Sequence, residues 1–169
     1  MKPLWILLAC LLPLSAFAQS PQSDPEAAIR SVIEAFRTSI IDKDRARFVA
    51  LFVPGHVGWQ STKSDAALQR MRAKNPQVLK MRINPGSTYL SFIDDIVDDK
   101  ETTEETFDDI RIETDGDVAS VVFDYRFIGG GIESNHGQEA WQLVRTDDGW
   151  RIISVIWSVN LPPEPSKAN

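Results

Sequence analysis

The chain of 169 residues carries 24 acidic and 18 basic side chains, for a formal net charge of −6 at pH 7. This length allows one domain with a sizeable core. The acidic balance, without a basic stripe interleaved with aromatics, argues against nucleic acid and anionic membrane as partners. Cys10 is the single cysteine and lies near the N-terminus, so the remainder of the chain is predicted to hold no disulfide and no thiolate metal site.

The first 18 residues are predicted to be a signal peptide. Lys2 supplies the positive start, residues 4–14 form an apolar stretch, and Ala16-Phe17-Ala18 is a small-x-small cleavage site. The apolar stretch is too short for a membrane-spanning helix. Cleavage after Ala18 predicts a periplasmic or secreted protein without membrane contact, and lipid attachment at Cys10 is the alternative. Residues 19–23 are then a linker, residues 24–160 one domain, and residues 161–169 a flexible tail.

Helices are predicted in the first part of the domain. Asp24-Pro25-Glu26 combines an N-cap, a proline at the first helical position and an acidic first turn, which is typical of a helix start. The apolar stripe of this helix, which ends near Asp42, consists of Ile29, Val32, Ile33, Phe36 and Ile40. A second helix begins at residue 44, a third covers residues 64–73, and a fourth covers residues 88–100. A short strand is predicted at residues 56–60 and an extended segment at residues 79–83.

Long antiparallel strands are predicted from Thr106 onward, separated by turns at residues 114–117 and 146–149 and by a glycine loop at residues 129–131. Helices followed by such a sheet predict an α+β fold, with the helices packed on one face of a curved sheet. The turns also predict the register, provided that no bulge intervenes. The predicted neighbours are Arg145 and Trp150, Leu143 and Ile152, Trp141 and Ser154, Ile112 and Ala119, Ile110 and Val121, and Tyr125 and Glu139.

Alternation along these strands separates two faces of the sheet. The inner face is apolar enough to meet the helices, and it is predicted to hold Ile110, Ile112, Ala119, Val121, Phe123, Tyr125, Phe127, Glu139, Trp141, Leu143, Ile152, Ser154 and Ile156. The outer face is largely polar, but Ile153, Val155 and Trp157 form an apolar patch on it. This patch predicts a homodimer through the outer face. A C-terminal tail folded over the patch is the alternative.

The order of elements resembles a known superfamily. The first helix with its Asp42-Lys43-Asp44 exit, the helix around Phe48, and the hairpin at residues 139–152 look like the nuclear transport factor 2-like superfamily, more narrowly its bacterial SnoaL-like branch. The resemblance covers nearly the whole chain after residue 18. It implies a cone-shaped, curved antiparallel sheet wrapped around N-terminal helices, with a ligand pocket on the inner face. It implies little about function, because the superfamily includes isomerases, cyclases, dehydratases and binding domains without chemistry.

The steroid isomerases of this superfamily use a helix-one tyrosine, a carboxylate base and a protonated acid inside the sheet. The corresponding positions here are Phe36, Gln60 and, near the acid, Trp141. None of the three supplies the required group, so isomerase chemistry of that type is not expected. Glu139 lies two residues from Trp141 on the same predicted face and is a candidate for a displaced acid.

The remaining candidates are the polar and aromatic side chains predicted near the pocket. A carboxyl on an apolar surface favours its protonated form, as a general acid requires, and a histidine can serve as a base near pH 7. The candidate catalytic residues are Glu139, Tyr125 and His136. The candidate ligand-binding residues are His56, Trp59, Phe123, Tyr125, Trp141 and Ser154. Core packing of the tryptophans, exposure of the histidines and a structural Glu139–Tyr125 hydrogen bond are the alternatives.

No cofactor or metal site is predicted. The acidic run at residues 94–117 lacks the spacing of a calcium loop and is interpreted as a solvated face. The triple glycine at residues 129–131 joins two strands and precedes no helix, so it is not a phosphate loop.

Two hypotheses about function follow. The first is an exported domain that binds a small apolar or aromatic molecule in the pocket, without catalysis. The alternative is a cofactor-independent isomerase, cyclase or dehydratase-like lyase that uses Glu139 with Tyr125 or a histidine. A pocket filled by its own aromatic side chains would contradict both and leave an interaction role.

Overall fold

Helix α1 forms the centre of the fold and begins where the sequence predicts. The Asp24 side chain accepts a hydrogen bond from the backbone N–H of Glu26, and the helix spans Pro25–Ile41. Four residues of its apolar stripe are buried, because they recur on the one face that meets the sheet and the other helices. They are Ile29, Ile33, Phe36 and Ile40.

The computed structural model describes residues 24–164. The predicted signal peptide, the linker and the end of the tail lie outside these residues. After α1 the elements are α2 (Arg45–Val49), β1 (Gly58–Lys63), α3 (Asp65–Lys74), α4 (Tyr89–Asp98), β2 (Thr103–Thr114), β3 (Val118–Gly129), β4 (Ile132–Thr146) and β5 (Gly149–Val159). The segment at residues 79–83, predicted to be extended, forms no strand. Within the described chain, no helix has the length and apolar character needed to span a membrane.

The five strands form one curved sheet in the order β1-β5-β4-β3-β2. Strands β2 to β5 are antiparallel neighbours, and β1 runs parallel to β5 at the edge. Helix α1 packs across the inner face against β2 and β5, and α2 joins it to α4. The predicted α+β architecture, a curved sheet wrapped around N-terminal helices, is confirmed.

A bulge in β2 reverses which residues of that strand face inward. Asp109 and Ile110 together oppose Phe123, and Asp109 has a positive φ of 53°. Beyond the bulge Ile112 faces inward as predicted, but its partner is Val121 rather than Ala119. Before the bulge, the inward residues are the odd-numbered ones, which simple alternation from Ile112 assigns to the outer face.

A second bulge corrects the predicted register of β4 and β5. Leu143 pairs with Ile152 as predicted, but Trp141 pairs with Val155 instead of Ser154, because Ile153 is an extra residue on β5. Ser154 and Ile156 are therefore on the outer face, and Ile156 is 54% exposed.

The apolar patch predicted on the outer face is consequently wrong in two of its three residues. Val155 is fully buried in the core, and Trp157 faces the inner side of the sheet next to Trp59. The homodimer itself stays a prediction, and Ile156 is the large apolar side chain that β5 leaves exposed on that face.

Strands β3 and β4 also differ from the predicted pairing. A tight turn pairs Gly129 with Ile132, and together with an extra residue at Ser134 it places Phe123 opposite Glu139 and Tyr125 opposite Gly137. Tyr125 and Glu139 still share the inner face, but as diagonal neighbours. Gly137 leaves space that the backbone of β5 occupies: a Cβ atom there would overlap the carbonyl oxygen of Ser158 and lie 2.7 Å from its Oγ.

We expect Gly137→Ala to lower the free energy of unfolding by about 1–3 kcal/mol, because overpacking forces a strand backbone to move. Gly129→Ala is the matched control, since a Cβ atom at Gly129 meets nothing within 4 Å. Urea denaturation monitored by tryptophan fluorescence measures both variants. Equal stability of the two variants would contradict the close approach of β4 and β5 at Gly137.

Candidate functional site

A cavity of about 370 Å³ opens between the inner face of the sheet and helix α4. It lies beside the aromatic core, and its walls come from α1, α4 and all five strands. The hydrophobic core does not fill it, since Trp141 and Phe123 pack beneath it against Phe36 and Phe107. The sheet and helices therefore enclose a space large enough for a small molecule.

Glu139 lies in the wall of this cavity and is only 5% exposed. The Nε1–H of Trp141 donates a hydrogen bond of 2.7 Å to its Oε2. Burial raises the pKa of Glu139 to about 8, although the hydrogen bond from Trp141 acts in the opposite direction. Trp141 thus positions the carboxyl group of Glu139, which lies two residues before it on the same strand.

Glu105 on β2 is a second carboxyl in the same cavity and is 3% exposed. The β2 bulge directs it inward, opposite Phe127. Burial, and then the charge of Glu139, raise the pKa of Glu105 well above its ordinary value. Two buried carboxyl groups that interact in this way titrate as a pair, and the pair retains a proton at neutral pH.

Tyr125 lies between the strands that carry the two carboxyls. Its hydroxyl is within hydrogen-bond distance of Asn135 Oδ1 (2.8 Å) and of the Ser158 carbonyl oxygen (2.9 Å). Burial, and then the charges of Glu139 and Glu105, raise the pKa of Tyr125. The hydroxyl is therefore protonated and donates within the protein, and the expected Glu139–Tyr125 hydrogen bond is replaced by these contacts.

Aromatic rings form much of the remaining wall. Trp59 packs edge-on against Trp157 with ring centroids 5.1 Å apart, and it lies 5.3 Å from the ring of Phe92. These rings are partly buried, unlike the core aromatics, so they have surface left for a ligand. Flat apolar molecules bind well to such surfaces.

The structure brings together only some of the residues predicted for the site. Tyr125, Glu139 and Trp59 line the cavity. Phe123 and Trp141 are fully buried in the core beside it. Ser154 lies outside the cavity, with its Oγ against Gly58 of β1.

Neither histidine reaches the cavity. His56 is exposed in the loop before β1. The Nδ1 of His136 lies 2.8 Å from Glu133 Oε1, and its ring lines a separate depression with Asp124 and Arg126. A mechanism that pairs Glu139 with a histidine has no support from this arrangement.

Sequence reasoning missed Glu105 and Trp157, because a bulge lies between each of them and the turn from which alternation is counted. It also missed Asp95 and Asp99, which are exposed and line the cavity. The acidic run is a solvated face only in part, because Glu105 within it is buried. One signal was available for β2: Phe107 is an aromatic residue in an otherwise acidic stretch, and residues two apart share a face with it.

In the described chain, no cluster of three or more His, Cys, Asp or Glu side chains has the geometry of a metal site.

Comparison with known proteins identifies the fold. No family model and no curated protein matches the sequence. A nuclear transport factor 2-like protein of unknown function from Pseudomonas putida is 14% identical with a TM-score of 0.57, covering 85% of this chain and 92% of that one. A Salmonella enterica protein of that superfamily is 17% identical with a TM-score of 0.55, over 86% and 97% of the two chains.

A third similar structure is a proposed scytalone dehydratase from Novosphingobium aromaticivorans. It is 13% identical with a TM-score of 0.57, over 85% of this chain and 89% of that one. At these identities the likeness concerns the fold. The protein has the fold of the nuclear transport factor 2-like superfamily.

Proposed function

We propose that the domain binds a small apolar or aromatic molecule in the cavity between the sheet and α4. The observation that carries this proposal is a single open cavity of about 370 Å³, which is lined by aromatic rings and by two buried carboxyl groups. Ligand sites are typically concave, mostly apolar, and equipped with a few fixed polar groups. Trp59, Trp157 and Phe92 would contact the flat body of the ligand, and Glu105 and Glu139 would bind its polar group.

Export remains part of this proposal. It rests on residues 1–18, whose charge, apolar stretch and small residues are typical of a signal peptide. N-terminal sequencing of the protein recovered from its own cells tests it: a mature chain that begins at Gln19 supports export, and a retained Met1 contradicts it.

A second candidate function is acid–base catalysis without a cofactor. The specific observation in its favour is the carboxyl pair, because two carboxyls that share a proton can supply an acid and a base together. Glu139 is positioned by Trp141, and Glu105 faces the cavity beside it. The similarity in fold to a proposed scytalone dehydratase is compatible with such chemistry but does not carry it.

Ligand binding is testable with 4-nitrobenzyl alcohol, a small neutral aromatic molecule that quenches tryptophan fluorescence. We expect saturable quenching, because Trp59 and Trp157 line the cavity. Trp59→Phe should remove a large part of the signal change. Trp150→Phe is the control and should retain it, since Trp150 lies outside the cavity. Quenching that rises linearly with concentration, or that is equal in both variants, would contradict the proposal.

The carboxyl pair predicts how stability depends on pH. In the unfolded chain Glu139 titrates near 4.5, and in the folded protein near 8. Between these values the folded state holds the extra proton, so stability falls as pH rises, by up to about 1.4 kcal/mol per pH unit for one proton. Glu139→Gln removes this proton, so the variant should gain stability relative to the parent from pH 5 to pH 8.

The control for this measurement is Glu104→Gln, because Glu104 is exposed on the outer face of β2. Urea denaturation at a series of pH values gives the free energy of unfolding of each protein. If the difference between Glu139→Gln and the parent stays constant from pH 5 to pH 8, Glu139 is not a buried, protonated carboxyl.

Acid–base catalysis is testable by exchange of the α-hydrogens of 2-tetralone in deuterated water, followed by NMR. The candidate function predicts exchange faster than in buffer. Glu105→Gln and Glu139→Gln should each slow it by about 10²–10⁴-fold, the usual contribution of a positioned acid or base. Exchange at the buffer rate with the parent protein, or unchanged exchange in both variants, would contradict this function.

A further inference from the structure

The charged side chains of the cavity are all of one sign. Of the described residues, Asp95, Asp99, Glu105 and Glu139 line it, and no lysine, arginine or histidine does. Two of the acids are exposed at its edge, and two are almost completely buried. The Lys43 ammonium donates to the backbone carbonyl of Asp99 but does not line the cavity, so a small anion entering it would meet four acidic groups and no basic side chain in the wall.

The two buried carboxyls lack the partner that buried acids usually have. Buried acidic residues in proteins are normally paired with a base or a metal ion. Within residues 24–164, Glu139 accepts a hydrogen bond only from Trp141, and Glu105 has no hydrogen bond or ion pair. Since Glu105 is 3% exposed and faces the cavity, its oxygens are left for a group that enters from outside.

The aromatic wall has the second property that a cation requires. Trp59 contacts both Trp157 and Phe92, and the three rings border the same space as the carboxyls. The faces of aromatic rings carry partial negative charge and attract organic cations, tryptophan most strongly. Aromatic rings combined with carboxyl groups favour an ammonium ion over a neutral alcohol or an acid.

We infer that the ligand of this cavity is an organic ammonium ion, in which a primary or secondary amine is held by Glu105 and Glu139 and the attached ring lies against Trp59 and Trp157. This inference rests on the proposed binding function and specifies the charge of the ligand. The ammonium hydrogens would replace the proton that the carboxyl pair otherwise shares. The exposed carboxylates of Asp95 and Asp99 would attract the cation to the opening.

Three probes of the same shape test the sign of the charge. They are 4-nitrobenzylamine, 4-nitrobenzyl alcohol and 4-nitrobenzoate, each titrated at pH 7 with tryptophan quenching as the signal. We expect the amine to bind at least about tenfold more tightly than the alcohol, and the benzoate most weakly, because a desolvated cation near carboxylates and rings gains more than a hydroxyl does.

Variants assign this preference to the buried acid. Glu105→Gln keeps the size and burial of the side chain, and it should reduce the preference for the amine to less than about threefold while the alcohol still binds. Glu104→Gln removes a neighbouring exposed acid on the outer face and should leave the preference unchanged.

The outcomes separate this inference from the proposed function. If the alcohol binds as tightly as the amine in the parent protein, the inference is wrong and ligand binding stands. If Glu104→Gln abolishes the preference as strongly as Glu105→Gln does, the effect is one of net charge and the inference is wrong. If none of the three probes gives saturable quenching, both the inference and the proposed function are wrong.

Discussion

The bulge at Asp109 and Ile110 is the constraint on which the character of the cavity depends. It inserts one residue into β2 opposite Phe123 and so reverses the inward face of that strand. Without it, the alternation that turns Ile112 inward would place Glu105 in solvent and leave Glu139 as the only buried acid among residues 24–164. Asp109 takes up the positive φ of 53° that the bulge imposes, and aspartate tolerates this conformation better than most residues. One backbone irregularity in an acidic stretch thus creates a pair of buried carboxyls.

The protein tolerates these carboxyls at a cost in stability. Two acids in an apolar wall repel each other when both ionise, and burial disfavours each charge. The hydrogen bond from the Trp141 indole offsets part of the cost of burying the Glu139 charge, and the pair retains a proton at neutral pH. A wall of apolar side chains would avoid this cost, so the buried acidic pair is the feature on which the proposed function rests. A ligand that neutralises the pair would recover the lost stability, since ligands that bind only the folded state stabilise it.

The sequence predicts much of this arrangement, and the wrong face assignments in β2 and β5 have one physical source. Helix α1 follows from the Asp24 cap and from apolar residues at helical spacing, and the inward orientation of Tyr125, Trp141 and Glu139 follows from strand alternation. Alternation assumes an uninterrupted strand, however, and each hairpin contains an extra residue. An extra residue inverts the face assignment of every residue that it separates from the turn, so alternation predicts Trp157 on the outer face and gives Glu105 no inward position. Whether an acidic residue is buried depends on where the bulges lie, and the amino-acid composition does not show this.

The central claim, that Glu105 and Glu139 are buried together in a cavity that offers them no base, is tested most directly by a carbon-13 NMR titration of the glutamate side-chain carboxyls. Assignment comes from the Glu105→Gln and Glu139→Gln spectra, each of which lacks one resonance. The account predicts that both resonances titrate far above 4.5, with Glu139 near 8. Titration of both resonances between about 4 and 5 would contradict it, since this is the range of solvated carboxyls.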